Sequence, residues 1–409
     1  MQFAKKLTKI FALILAVLCT ALFTYSIYIY HKTPDCYTVV NDGDFCLELP
    51  LKVRCKSDKI QQVSATGEAC SAELTVLGIV PIKDVWLVSA ESKYVTLCGT
   101  PFGIKLYTDG VMVVGLSDVT TASGGTCPAR DAGIEKGDMI ISVDGEKVYS
   151  NAEIALAVAD AGGRAVRVEY SRGGQKKTAE ITPARSGADS TYKLGMWVRD
   201  SSAGIGPLTF YNSATHTAAG LGHGICDADT GMLVPVREGE MVTATVVGVK
   251  KGAAGSPGEL CGVMSYIGTI GKVESNSDMG IYAKTSAHLS GDTVRVAMRQ
   301  EVHTGAAKIL TTVDGNTPRY YDCEITGVDY SDGNLTKNLL IKVTDQELLN
   351  ITGGIVQGMS GSPLIQNGKL IGAVTHVLVN APTKGYGIFA ENMLETAQIV
   401  AEEKLKEAS

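Results

Sequence analysis

A chain of 409 residues that is 45% hydrophobic but only 6% aromatic, with 46 glycines, suits two or three β-rich domains rich in tight turns. Its formal net charge is −6, and the first thirty residues add Lys5, Lys6 and Lys9 without an acid, so the remainder is more acidic still. A body of that sign repels phosphate backbones, which argues against nucleic-acid binding, and no collagen-like, coiled-coil or disordered signature is present.

Ile10 to Tyr30 carries no charge. At about 1.5 Å per residue the run spans the roughly 30 Å hydrocarbon core of a bilayer. Tyr25, Tyr28 and Tyr30 suit the outer interface, and the lysines on the N-terminal side keep that end cytoplasmic. Residues 1–30 are therefore expected to be a transmembrane signal anchor with the body outside. A cleaved signal peptide is the rival reading, but the run is long for one and ends without a small-x-small site. Of the ten cysteines, Cys19 lies in the apolar run, and Cys36, Cys46, Cys55 and Cys70 cluster after it. Export permits disulfides, an odd number leaves one thiol over, and no C-x-x-C pair exists to make a zinc ribbon.

Residues 31–97 hold short alternating runs, such as Cys46–Val53 and Ala72–Val80, that predict a small β-rich region. Residues 98–186 resemble a PDZ domain. Phe102-Gly103-Ile104 has the apolar-Gly-apolar form of a loop whose backbone amides receive a peptide carboxylate. Pro128-Ala-Arg-Asp-Ala-Gly-Ile-Glu-Lys-Gly-Asp-Met-Ile-Ile-Ser-Val-Asp144-Gly145 resembles the bacterial PDZ signature, with Cys127 where Ser is usual. Ser150 and Glu153 form a capping box that opens a helix, which Gly162-Gly163 ends. After a linker at Pro183–Ser190, residues 191–409 alternate short apolar runs with Gly, Asn and Asp turns, a β-barrel or sandwich pattern. An amphipathic helix over 391–407 closes the chain, with Leu394, Ala397, Ala401 and Leu405 at helical spacing.

Chemistry concentrates in Gly358-Met-Ser-Gly-Ser-Pro363. A serine followed by glycine on a tight turn presents its Oγ without a bulky neighbour, and the same turn points the Gly358 and Ser360 amides at one oxyanion. The pattern resembles the G-x-S-G-x-P nucleophile turn of chymotrypsin-like proteases. Among six histidines, His223 sits between glycines in Gly220-Leu-Gly-His-Gly-Ile, which leaves the imidazole accessible as a proton shuttle; His216 is the alternative. His376, on the strand expected after the serine, lines the substrate cleft in this reading, and Tyr386 and Gly387 are candidates for a specificity pocket. The carboxylate that orients the histidine is assigned to Asp345, with Asp227 and Asp229 competing.

Three blocks then resemble stage IV sporulation protein B, the PDZ-containing signalling peptidase family of endospore formers: Gly220–Gly231, Thr352–Val377 and Asn380–Leu394. The resemblance covers roughly residues 98–400. It implies a chymotrypsin-like double β-barrel behind the PDZ domain, with His223 as base, Asp345 as orienting carboxylate and Ser360 as nucleophile. It also implies self-cleavage near the N-terminus and action between the forespore and mother-cell membranes. There the family cleaves a regulator of an intramembrane metalloprotease, so that a late mother-cell sigma factor is processed. No cofactor is implied. Two other readings stand beside it: a PDZ scaffold on a degenerate protease fold, and a metal site at His223, Asp227 and Asp229.

Overall fold

The computed structural model describes residues 2–40, 45–47, 53–55, 68–76 and 78–407. Of the expected run Cys46–Val53, residues 48–52 lie outside the described residues, as does Leu77 in the second run.

Helix α1, Gln2–Lys32, is the apolar stretch. Its threonines do not break it, because Thr20 and Thr24 return their hydroxyls to carbonyls one turn back. Residues Lys5–Lys32 are long and apolar enough to cross a membrane. Among the described residues only the last turns meet the body: Ile29 is fully buried and Lys32 pairs with Asp329 at 2.7 Å, while just past the helix Asp35 pairs with Lys83 at 2.8 Å. Beyond it lies a five-stranded sheet. It comprises β1 (Cys36–Val39), β2 (Cys46–Leu47), β3 (Val53–Cys55), β4 (Cys70–Val76) and β5 (Val80–Ser89), in the order β1-β5-β4-β3-β2.

The rest is organised by long strands, four of which run for 15 to 19 residues among the described residues. Strand β6 (Tyr94–Leu97) leads to β7 (Pro101–Leu116). The PDZ unit follows, with β8 (Met139–Val143), α2 (Asn151–Asp160), β9 (Val166–Arg172) and β10 (Gln175–Ile181). The expected capping box opens α2: the Ser150 hydroxyl accepts from the Glu153 amide, and the Glu153 carboxylate accepts from the Ser150 amide. Next come β11 (Met196–Asn212), β12 (Thr217–Gly220), β13 (Val236–Lys250), β14 (Glu259–Ser277) and β15 (Gly280–Lys284). These pair in the order β7-β13-β14-β15-β12-β11, and β11 pairs back with β7 over Met196–Pro207, which closes a first barrel. Its core holds Phe102, Ile104, Leu208, Met241 and Ile281.

The second barrel comprises β16 (Gly305–Thr311), β17 (Arg319–Val328), β18 (Leu339–Val343), β19 (Pro363–Gln366), β20 (Lys369–Val377) and β21 (Lys384–Phe389). It closes in the order β16-β17-β18-β21-β20-β19. Alternation along each strand fills it with Ile309, Tyr321, Ile341, Leu364 and Phe389. Helix α3 (Gln346–Thr352) precedes β19, and α4 (Ala390–Glu407) buries Met393, Leu394 and Ala397 against the barrels. The architecture is thus mainly β: an N-terminal apolar helix, a PDZ domain, a double-barrel protease domain and a C-terminal helix.

The boundary expected at residue 98 falls elsewhere. Pro101–Thr108 belongs to the wall of the first barrel, paired on one side with β11 and on the other with β13. Phe102-Gly103-Ile104 is therefore a strand interior, not an open carboxylate loop. The glycine is needed there for packing: a Cβ on Gly103 would sit 2.5 Å from Met264 Cγ.

Candidate active site

The two barrels meet where β12 ends and β19 begins. After β12 the backbone turns through Leu221 and Gly222, both at φ +68°, and delivers His223. Left-handed backbone is costly for leucine, and such strain is held only where the surroundings enforce it. Here the nucleophile turn enforces it. A Cβ on Gly361 would lie 2.4 Å from Leu221 N, and one on Gly222 would lie 3.1 Å from Thr375 Cγ2. Ser360 and His223 are thus carried on segments in direct contact, one from each barrel.

Within the turn, the amides of Met359, Gly361 and Ser362 are tied to Val356, Val374 and Met359 carbonyls. Among the described residues the amides of Gly358 and Ser360 donate to none. Gly358 takes φ +90° and Gly361 φ +97°, positive angles that glycine adopts freely on either side of Ser360. The turn is buttressed from β11: Thr209 Oγ1 donates to Gly361 O at 2.7 Å. Ser360 Oγ, half-buried, donates to Thr375 O at 2.7 Å.

His223 Nδ1 lies 2.8 Å from Gly224 O. A carbonyl only accepts, so Nδ1 carries the proton and Nε2 keeps its lone pair, the tautomer a general base needs. Burial lowers the imidazole's pKa from its ordinary value, and the Gly224 bond opposes that only partly. The loop beyond is held by Asn276, which accepts from Ile225 N and donates to Ile225 O and Val234 O. No motif pointed to Asn276; its role emerges only when β14 returns beside the histidine loop.

The second imidazole of the site is His376, its ring centre 5.1 Å from that of His223. Its pKa is pushed down to about 4, first by burial, then by the His223 and Lys337 charges.

Asp345 is not brought to this pair. It caps α3, its carboxylate accepting from Leu348 N at 3.0 Å and Asp322 N at 3.2 Å. His376, Tyr386 and Leu340 are cross-strand neighbours. Asp345 lies five residues past Leu340, roughly 16 Å further along the strand direction. Asp227 and Asp229 both pair with Arg199, and Asp227 also accepts from the Asp229 and Thr230 amides, so they shape their loop. Among the described residues no cluster of His, Cys, Asp and Glu could hold a metal ion. His216 bonds Tyr211 across its own hairpin.

The PDZ unit has its groove between α2 and the start of β11, a cavity of about 500 Å³ lined by Ile154, Ala155, Val158, Leu194, Met196 and Trp197. Leu194-Gly195-Met196 is a second apolar-Gly-apolar triplet, and Gly195 takes φ +77°. The Leu194 and Gly195 carbonyls turn inward to the Ala129 and Ser117 amides. Among the described residues the Leu194 and Gly195 amides donate to no backbone carbonyl. Two such N–H groups in a left-handed turn make an anion-binding nest. The reason the sequence misled is plain: both triplets fit the pattern, and only strand pairing tells barrel wall from loop.

A double β-barrel with a serine turn and a histidine apposed between the barrels defines a serine peptidase. The family model described as SpoIVB peptidase S55 matches residues 190–394, and the chain belongs to that family. A PDZ domain model matches residues 106–182. Among solved structures, the PDZ domain of the SdrC-like protein of Listeria monocytogenes is similar at 25% identity, covering 22% of this chain and 87% of that one, with a TM-score of 0.18. The Rv3671c protease of M. tuberculosis in its active form is similar at 18% identity, covering 49% of this chain and 74% of that one, with a TM-score of 0.28.

Proposed function

We propose that this chain is a membrane-anchored serine endopeptidase of endospore formation. Its body lies outside the forespore membrane, and it cleaves itself and a regulator of an intramembrane metalloprotease. Family membership supports the biological setting. The three lysines in the first turns of α1, with no acid among the first thirty residues, support the orientation.

The observation that carries the chemistry is the Ser360 turn pressed against Leu221–His223 with the Gly358 and Ser360 amides unspent. In the mechanism, Ser360 Oγ rotates from the Thr375 carbonyl towards His223 Nε2. It gives up its proton there and attacks the peptide carbonyl. The oxyanion is held by the Gly358 and Ser360 amides, each such donor worth about 2.7–4 kcal/mol of barrier. His223 then passes the proton to the leaving amine, and water repeats the cycle on the acyl-enzyme. The Gly224 carbonyl, rather than a carboxylate, fixes the tautomer. The groove beside α2 binds a peptide, from the substrate or from a second copy, by strand addition to β11.

The full chain in lipid nanodiscs tests this. Wild type is expected to lose an N-terminal fragment with time, while Ser360→Ala and His223→Ala stay whole. Equal fragmentation in all three would sink the reading.

A further inference from the structure

His376 has no part in the proton transfer above, yet it occupies the cleft. It is half-buried on β20, one residue after Thr375, whose carbonyl holds Ser360 Oγ, and its ring packs beside His223. Its Nδ1 is sealed from solvent and, among the described residues, has no partner. A sealed lone pair costs less than a sealed N–H, which would forfeit the full solvation of a donor. The proton therefore belongs on Nε2, the nitrogen left to the cleft. The depressed basicity of this ring keeps it uncharged across the working pH range.

The strand that carries it offers a place for substrate. Pairing between β19 and β20 ends at Pro363↔Ala373, whereas β20 runs on to Val377 and continues to pair with β21 on its other side. Beyond Val374, whose amide and carbonyl are tied to Ser362 O and Gly361 N, one edge of Thr375–Val377 extends past its barrel partner and passes directly beside Ser360. An extended peptide laid along that edge presents main-chain carbonyls, which are neutral acceptors suited to a neutral donor.

We propose that His376 is a substrate-binding residue whose Nε2–H donates to a main-chain carbonyl of the extended substrate, beside the scissile bond. The inference rests on Ser360 and His223 being the reacting pair, and its failure is separable from theirs. Three variants of the full chain discriminate: His376→Phe keeps the ring without the donor, His376→Gln keeps a donor, and His376→Ala removes both. Each is assayed with a fluorophosphonate, which needs only Ser360 and His223, and with a random-sequence fluorescence-quenched octapeptide library.

His376→Phe is expected to react with the fluorophosphonate within about twofold of wild type while kcat/KM on the library falls roughly three- to tenfold, mainly through KM. His376→Gln is expected to recover most of that loss, and His376→Ala to resemble His376→Phe. An unchanged KM in His376→Phe would overturn the proposal. So would loss of fluorophosphonate labelling as complete as in His223→Ala, because His376 would then belong to the proton transfer. Wild-type labelling without hydrolysis of any library member would contradict it too, since the open edge would not be accepting an extended chain. Absence of labelling in wild type is the different failure, that of the protease reading.

Discussion

In the proposed mechanism the charge on His223 decides when Ser360 can react. Burial lowers this imidazole's pKa from 6.5, so it stays neutral to more acidic pH than a free histidine. A base must be neutral to work, so acylation is expected to be full at neutral pH and to fall through a midpoint below 6.5; stopped-flow labelling across pH 4 to 8 reads that midpoint. Asp345 gives the sharpest contrast. As an N-cap it tolerates Asn, and Asp345→Ala is expected to cost about 1 kcal/mol of stability in urea unfolding. Asp345→Asn should then keep activity within about tenfold, whereas a carboxylate orienting the base would lose on the order of 10⁴-fold on the same change. The serine turn and the His223 loop are readable as candidates in the sequence because the chemistry proposed for each lies within a few consecutive residues. The Gly224 carbonyl beside His223 Nδ1 is not readable in this way, because nothing in the spacing of Asp345 to Ser360 encodes which oxygen faces that nitrogen.

Strand β11 shows why elements were harder to read than motifs. Its first residues floor the PDZ groove at Met196–Trp197, and its far end holds the nucleophile turn through Thr209. Alternating runs announced strands, and the capping box announced α2, because each is a local pattern. That β7 and β11 run unbroken from PDZ unit to barrel is a matter of long-range pairing, and only that pairing separates the barrel-wall triplet Phe102-Gly103-Ile104 from the triplet Leu194-Gly195-Met196 beside the groove. Helix α4 is fastened by charge as well as by apolar packing: buried Arg299 donates to Glu391 at 3.0 Å and pairs with Asp332 at 2.5 Å. Arg299→Met leaves the buried Glu391 carboxylate with the residue-299 amide but without its charge partner and is expected to cost about 3–5 kcal/mol in denaturant unfolding.

At the scale of the whole molecule, N-terminal apolar helix, PDZ domain and protease are built as one connected frame rather than as beads on linkers. The stretch after Pro183, expected as a linker, forms a short pairing, Ala184–Arg185 with Tyr192–Lys193, and leads directly into β11. The last turn of α1 is fastened to the second barrel by Lys32 and Asp329, at the end of β17. Composition foretold a β-rich body and the blocks of motifs foretold a PDZ domain followed by a protease; the shared strands could not be foretold, since they belong to no single block. All of this serves one claim, that Ser360 is a nucleophile activated by His223. The most direct test is to treat the full chain with a fluorophosphonate at neutral pH and map the adduct by peptide mass spectrometry. The account predicts a single adduct on Ser360, lost in Ser360→Ala and slowed at least about a thousandfold in His223→Ala. An unlabelled Ser360, or one labelled equally fast without His223, would contradict it.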